Sequence, residues 1–198
     1  MPEVEYATSM TLPPGVVWDF IKDMNHWAPF VTGYQKHEII DDTDSVWTLR
    51  GDVGILSRRV ELRAHITEWV DRRRVAFTLT GLNEKVDGGG ELLMEEVAAD
   101  APPPPPPRRR WFGRRFLDWM FRRMFRRIHG EGPKRLAPAP DAAPTCRLRF
   151  TLRMDAGGPT GPLVNAMLGP AMMPAAEALA NSIAAHLERE HLGAQAAA

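Results

Sequence analysis

Residues 57–70 read "SRRVELRAHITEWV", and this stretch sets the fold. Val60, Leu62, Ala64 and Ile66 alternate with charged or polar neighbours at a period of two, the pattern of a strand with one buried face. The flanking stretches repeat it. "YQKHEIID", "SVWTLRGDV", "RRVAFTLTGL" and "GGELLMEEV" also read as strands, with separators "DDTD", "GIL", "DRR" and "NEKVDGGG" short enough for hairpins. Trp47 and Leu49, the four apolar residues above, and Val75, Phe77 and Leu79 would share the buried face of a meander. "DGGGE" reads as a hairpin turn, too short and badly placed for a dinucleotide fingerprint. The glycines at 51, 54 and 88–90 predict bends or bulges that let the sheet curl.

Upstream, "EVEYATSMTL" alternates Val4, Tyr6 and Thr8 and reads as a further strand. "PPGVVWDFIKDMNHWAPFVTGY" then changes to helical spacing, with Val17, Phe20, Ile21 and Met24 on one face and Pro14 in the first turn. A second short turn is expected around residues 25–30, because Pro29 and Gly33 prevent a longer one. Downstream, "CRLRFTLRM" is the clearest strand of the chain. The last segment is helical, and Pro170 and Pro174 should divide it into a piece near 163–168 and a longer one over about 175–191 that ends before Gly193. Ala176, Leu179, Ile183 and Leu187 form its apolar stripe. The expected class is α+β: a curved seven-stranded antiparallel sheet gripping a long C-terminal helix around a cavity, with two short helices after the first strand.

An apolar share of 44% in 198 residues fits one domain with a real core, elaborated by an insert at about 101–143 between the sixth and seventh strands. The single cysteine, Cys146, excludes an intramolecular disulfide and a cysteine zinc site and suits a reducing compartment. The start shows no basic stretch followed by an apolar run, and no segment reaches the roughly 18 apolar residues of a spanning helix. The expected location is cytoplasmic, peripheral to the inner face of the cell membrane.

Zero net charge hides a division. Residues 108–135 hold ten arginines and Lys134 against Asp118 and Glu131, a local charge of +9, leaving 14 basic and 23 acidic residues elsewhere. An acidic body thus carries a strongly basic insert, which implies an anionic partner. The six prolines at 102–107 form a polyproline spacer, about 3.1 Å per residue and so roughly 19 Å long. A helix follows over about 110–129. Leu117, Met120, Phe121, Met124 and Ile128 cluster on one side and Arg115, Arg122, Arg123, Arg126 and Arg127 on the other, while Trp119 blurs the division. Together with Trp111, Phe112, Phe116 and Phe125 they would bind an anionic membrane surface, lying flat because charges at the bilayer centre cost too much. Docking on the acidic body or in a partner protein's groove are the rival readings. Nucleic acid fits poorly, since the aromatics sit among aliphatics and form no stacking platform.

The order of elements resembles the START-like, or polyketide cyclase and lipid-transport, superfamily with its helix-grip fold. "PPGVVWDFIKDMNHWAPFVTGY" is similar to that superfamily's opening, where a Val-Trp-Asp helix precedes an Asp-aromatic-Pro turn and a glycine. "GDVGILSRRVELRAHITEWVDRRRVAFTLTG", at 51–81, is similar to the branch typified by the G-type accessory subunit of carbon monoxide dehydrogenase, with its Val-Gly hairpin, charged-alternating strand, acidic turn and Leu-x-Gly ending. The resemblance covers about residues 3–98 and 145–192 and excludes the insert. It implies an internal cavity for a hydrophobic small molecule, a lipid or a quinone. For the branch it implies an accessory role beside a molybdenum hydroxylase of the carbon monoxide dehydrogenase type.

Catalytic residues are not evident. The six histidines are scattered, no HExxH, CxxC, GxSxG or phosphate loop occurs, and Asp41/Asp42 and Glu95/Glu96 read as turn or strand-end acids. No metal or cofactor is expected. The candidate ligand-lining residues are Trp27, Phe30, Trp47, Phe77, Met94, Phe150, Met167, Met172, Met173, Leu179 and Ile183, each of which also suits an ordinary core. Methionines and prolines at 162–174 favour an adaptable cavity with a movable entrance. A polyketide cyclase or aromatase, or an assembly factor for a partner enzyme, are the alternatives to a carrier.

Overall fold

A computed structural model describes residues 2–53, 56–97 and 145–196. Its elements run β1 (Glu3–Met10), α1 (Pro14–Ile21), α2 (Met24–Trp27), a 3-10 turn (Ala28–Phe30), β2 (Tyr34–Ile39), β3 (Asp44–Val53), β4 (Leu56–Val70), β5 (Arg74–Gly81), β6 (Val86–Glu96), β7 (Cys146–Ala156) and α3 (Gly161–Ala196). All seven strands form one antiparallel sheet in the order β1-β7-β6-β5-β4-β3-β2. The expected helix-grip architecture is therefore present. Its insert at 101–143, the helix over 110–129 and Gly54 lie outside the described residues.

The topology explains where the core forms. β1 and β2 are opposite edges of the sheet, so the chain between them must cross one end, and it does so as α1, α2 and the 3-10 turn. Pro14 occupies the first turn of α1 and Asp23 caps α2, its carboxylate accepting from the Asn25 amide at 2.9 Å. The predicted face of α1 is buried at Val17 and Phe20, and Trp18 is buried beside them. Beneath lies the larger core: Met10, Leu12, Val17, Trp18, Phe20, Met94, Cys146, Leu148, Ile183, Ala184 and Leu187. A smaller one, Val4, Met172 and Ala176, joins the first half of α3 to β1 and β7. Asn165 fixes that helix to the end of β7, accepting from the Ala156 amide at 2.8 Å and donating to Asp155 at 3.0 Å.

Three expectations need correction. The glycines 88–90 are not a hairpin turn: they lie within β6, paired to β5 on one side and β7 on the other, and the turn falls at 82–85. A Cβ on Gly90 would stand 2.1 Å from the Thr151 carbonyl oxygen and 3.0 Å from Phe77 Cζ, so the strands approach more closely there than any side chain permits. Pro170 and Pro174 do not divide the last segment; both sit inside one 36-residue helix. Each removes a backbone donor, yet Met172 and Pro174 are themselves buried, and packing on the sheet outweighs the lost bonds. The same helix also continues past Gly193, to Ala196.

Candidate functional site

Cross-strand pairing divides the inner face of the sheet into rows. Thr8, Leu148 and Met94 form one row beneath α1, all buried. In the next, Tyr6, Phe150, Leu92 and Val75 are only half-buried. Beyond them, Leu152, Phe77 and Ile66, and then Met154, Leu79 and Ala64, are half-buried as well, across from Gly90 and Gly88. The physical cause is the placing of α3, which packs chiefly on β1, β7 and the 3-10 turn. Among the described residues, the inner surface of β4 to β6 is therefore apolar, concave and incompletely covered. Such a surface costs free energy in water and is the feature most readily relieved by an apolar ligand.

The candidate lining residues divide between this surface and the cores. Phe77 and Phe150 stand on it together, their rings stacked at 6.4 Å, and Phe150 also packs against the smaller core. Met94 and Ile183 are buried in the larger core, with Trp27, Phe30 and Leu179 packed against it. Met172 is buried in the smaller core, against which Met173 packs, and Met167 is half-buried on α3. Trp47 is buried and stacks on Trp27 at 5.6 Å. The membrane-binding candidates at 111–128 lie outside the described residues. A separate open depression of about 470 Å³ lies at the β5–β6 turn, among Asn83, Lys85, Asp87 and Gly157. Its lining is mainly polar turn surface.

At the rim of the concave face the structure brings together polar residues that the sequence did not single out. Tyr34 pairs with Leu49 and His37 with Trp47, so both point to the inner face. Period-two reading separates them, because residues three apart alternate faces; the bulge between Tyr34 and Lys36 restores them to one side. His37 stacks on Trp47 at 5.0 Å, and its Nδ1 lies 2.9 Å from the Tyr34 hydroxyl. Its Nε2 lies 3.1 Å from Asn25 Oδ1, while Asn25 Nδ2 donates to Asp23 Oδ1 at 2.8 Å. Because the Asn25 amide nitrogen faces the carboxylate, Nε2 of His37 must donate, and neutral His37 accepts the Tyr34 proton at Nδ1. Hydrogen bonds from the Asn25 backbone and side chain hold the Asp23 carboxyl below its ordinary range.

Two further histidines stand nearby. His26 stacks on Phe20 at 5.3 Å, and His186 of α3 sits 5.2 Å from Phe20 and 5.5 Å from Phe30. They join α3 to the helix pair. Trp18 is 1% exposed and donates through Nε1 to Asp71 at 2.6 Å, fixing α1 to the β4–β5 turn. Among the described residues no group of three histidine, cysteine or acidic side chains could hold a metal ion, and no helix is long and apolar enough to cross a membrane.

A family model described as polyketide cyclase/dehydrase and lipid transport matches residues 10–184. No curated protein matches the sequence. Among solved structures, a conserved protein from Geobacillus kaustophilus is similar at 12% identity and a TM-score of 0.57, covering 94% of each chain. The Zhui aromatase/cyclase from Streptomyces sp. R1128 is similar at 16% identity and a TM-score of 0.54, over 94% of this chain and 93% of its own. A START superfamily protein from Mycobacterium smegmatis is similar at 11% identity and a TM-score of 0.51, over 94% and 97%. At these identities the likeness is one of fold.

Proposed function

The chain belongs to the polyketide cyclase/dehydrase and lipid transport family, and from that membership we propose that it is a non-catalytic carrier or adaptor for a hydrophobic small molecule. The observation that supports this reading is a pair of neighbouring half-buried apolar rows, Val75, Leu92 and Phe150 and then Phe77 and Leu152, on the inner face of the sheet. A lipid or quinone-like ligand would cover it, gaining about 25 cal/mol for each Å² of apolar surface removed from water. The basic insert at 108–135 would bring this carrier to an anionic membrane on the cytoplasmic side. Several large side chains at up to about 3 kcal/mol each and about 1 kcal/mol for each basic residue near the leaflet exceed what one acyl chain supplies. The resemblance at 51–81 to the accessory branch of carbon monoxide dehydrogenase supports a molybdenum hydroxylase as the enzyme served.

Two assays test the parts separately. N-phenyl-1-naphthylamine should brighten on binding the concave face and be displaced by long-chain lipids, and Phe150→Arg should abolish it; an unchanged variant would refute the site. In flotation with anionic vesicles, the full chain should rise and a chain lacking 102–143 should not. Equal flotation would remove the tether.

A second reading has one specific observation behind it. The Tyr34–His37 pair, 2.9 Å apart at the rim, supplies an acid–base couple of the kind that a cyclase or aromatase needs. Turnover of an enolisable polyketide analogue, lost in Tyr34→Phe, would support it. Absence of turnover in the wild-type chain would exclude it.

A further inference from the structure

One end of the sheet carries exposed apolar and basic side chains together. Val16 of α1 and Trp69 and Val70 at the end of β4 are all exposed, Trp69 by 46%. α1 and this strand end form one surface: Trp69 meets the buried Trp18 ring edge-on at 5.5 Å, and the Trp18 indole donates to Asp71 at 2.6 Å. The turn that follows, Asp71-Arg72-Arg73, is closed by the Arg73 amide donating to the Val70 carbonyl at 3.1 Å. Arg72 stands there with a φ of 56°, where a turn of this shape favours glycine or asparagine. Among the described residues no other non-glycine residue has a positive φ. Backbone strain of this sort persists where function requires the side chain. The acidic groups beside the turn are engaged: Asp19 with Lys22 at 2.7 Å, Asp71 with Trp18, and Glu68 and Glu91 with Arg74 at 2.8 and 2.9 Å. Arg72 and Arg73 are exposed beside the indole.

The chain on either side of the basic insert is anchored at this same end. The Met94 amide donates to the Arg73 carbonyl at 2.8 Å, three residues before Val97. On the return, the Thr145 hydroxyl donates to the Leu12 carbonyl at 2.7 Å, two residues before α1 begins. We infer that this end of the folded body is itself a membrane-contact surface, in which Val16, Trp69 and Val70 enter the interface of an anionic leaflet while Arg72 and Arg73 lie among its lipid phosphates. An indole is apolar in its body and polar at its N–H, which suits the level of the headgroups. A guanidinium pairs with phosphate in a fork while its stem covers apolar surface. The inference rests on the tether reading for the approach to the membrane and adds the orientation. α1 and the β4–β5 turn would face the lipid, and the β3–β4 and β5–β6 turns, at the other ends of the same strands, would face away.

Site-specific fluorescence on the full chain tests this. Val70→Cys would carry the NBD fluorophore, Cys146 being buried and so left unlabelled. Leu82→Cys, exposed and apolar at the far end of β5, is the control. With vesicles of phosphatidylglycerol and phosphatidylcholine, the dye at 70 should brighten and shift to the blue as it leaves water, and the dye at 82 should not respond. Arg72→Gly separates contact from folding, because it relieves the turn while removing the cation. Its thermal midpoint should hold or rise, yet its vesicle affinity should fall about fivefold, the worth of one basic residue at an anionic leaflet. Arg58→Gln removes the same charge about 40 Å along β4 and should leave the affinity unchanged. A chain that floats with the vesicles while the dye at 70 stays silent, or the dye at 82 responds instead, overturns this inference alone. An Arg72→Gly chain that binds as the wild type does also overturns it. A full chain that does not float overturns the tether reading beneath it.

Discussion

Replacing Phe77 by alanine distinguishes an open concave face from a closed core. Phe20 provides the comparison, being the same residue at 9% exposure within the larger cluster. Removing a buried phenylalanine costs the transfer free energy of the ring plus the cavity left behind, about 3–5 kcal/mol. Phe77 is half-buried, over the bare backbone of Gly90 and against one neighbouring ring, Phe150. Its removal enlarges a space that already opens to solvent, so the cavity contribution is absent and part of the transfer contribution with it. About 1–2 kcal/mol remains. In urea unfolding followed by tryptophan fluorescence, Phe77→Ala should thus be distinctly milder than Phe20→Ala. At about 2–4 °C per kcal/mol for a chain of this size, thermal midpoints should fall by about 2–8 °C and about 6–20 °C respectively. Phe77→Ala should also weaken N-phenyl-1-naphthylamine binding, which Phe20→Ala should spare at temperatures where it stays folded. A Phe77→Ala variant as costly as Phe20→Ala would show a packed interior and refute the reasoning.

Gly90→Ala should cost more than the 1–3 kcal/mol or so of ordinary overpacking, because its Cβ would meet the Thr151 carbonyl oxygen at 2.1 Å and a backbone in a ladder cannot yield; a shift of the urea midpoint measures this. Asp44 is held down to about 2 by hydrogen bonds from Arg63 and then His65, so it stabilises the fold above the ordinary carboxylate value of about 4 and loses that contribution as pH falls through 2. Acid unfolding of Asp44→Asn should therefore be less steep between about pH 4 and pH 2 than that of the wild type. Cys146 is fully buried and its thiol is pushed up to about 11 by burial and then by Glu96, so iodoacetamide should label it only once the chain is unfolded.

The parts of this fold that local periodicity encodes were legible. The alternation at 60–66 and 148–154 gave strands whose partners, such as Leu49 with Val60 and Ile66 with Phe77, meet on the face that the pattern assigned. What periodicity does not encode was lost. Glycines 88–90 carry turn chemistry in sequence, and only the closeness of β5 and β7 shows why glycine stands within a strand. Pro170 and Pro174 are helix breakers by local rules, and only packing on β1 and β7 keeps α3 whole. Of the site, the aromatic and aliphatic members were readable as apolar residues. Tyr34 and His37 were not, because a one-residue bulge reverses the parity that places them on a face. Trp18 was passed over for a related reason: its position on α1 lies beside the predicted stripe, and its partner Asp71 is 53 residues away.

Native mass spectrometry of the gently purified chain tests the central claim most directly, namely that the inner face of the sheet holds an apolar molecule. The expected spectrum shows a single non-covalent adduct of one small lipophilic molecule per chain, lost on mild activation and absent from Phe150→Arg. A spectrum of the bare chain alone, unchanged after incubation with a lipid extract, would contradict it.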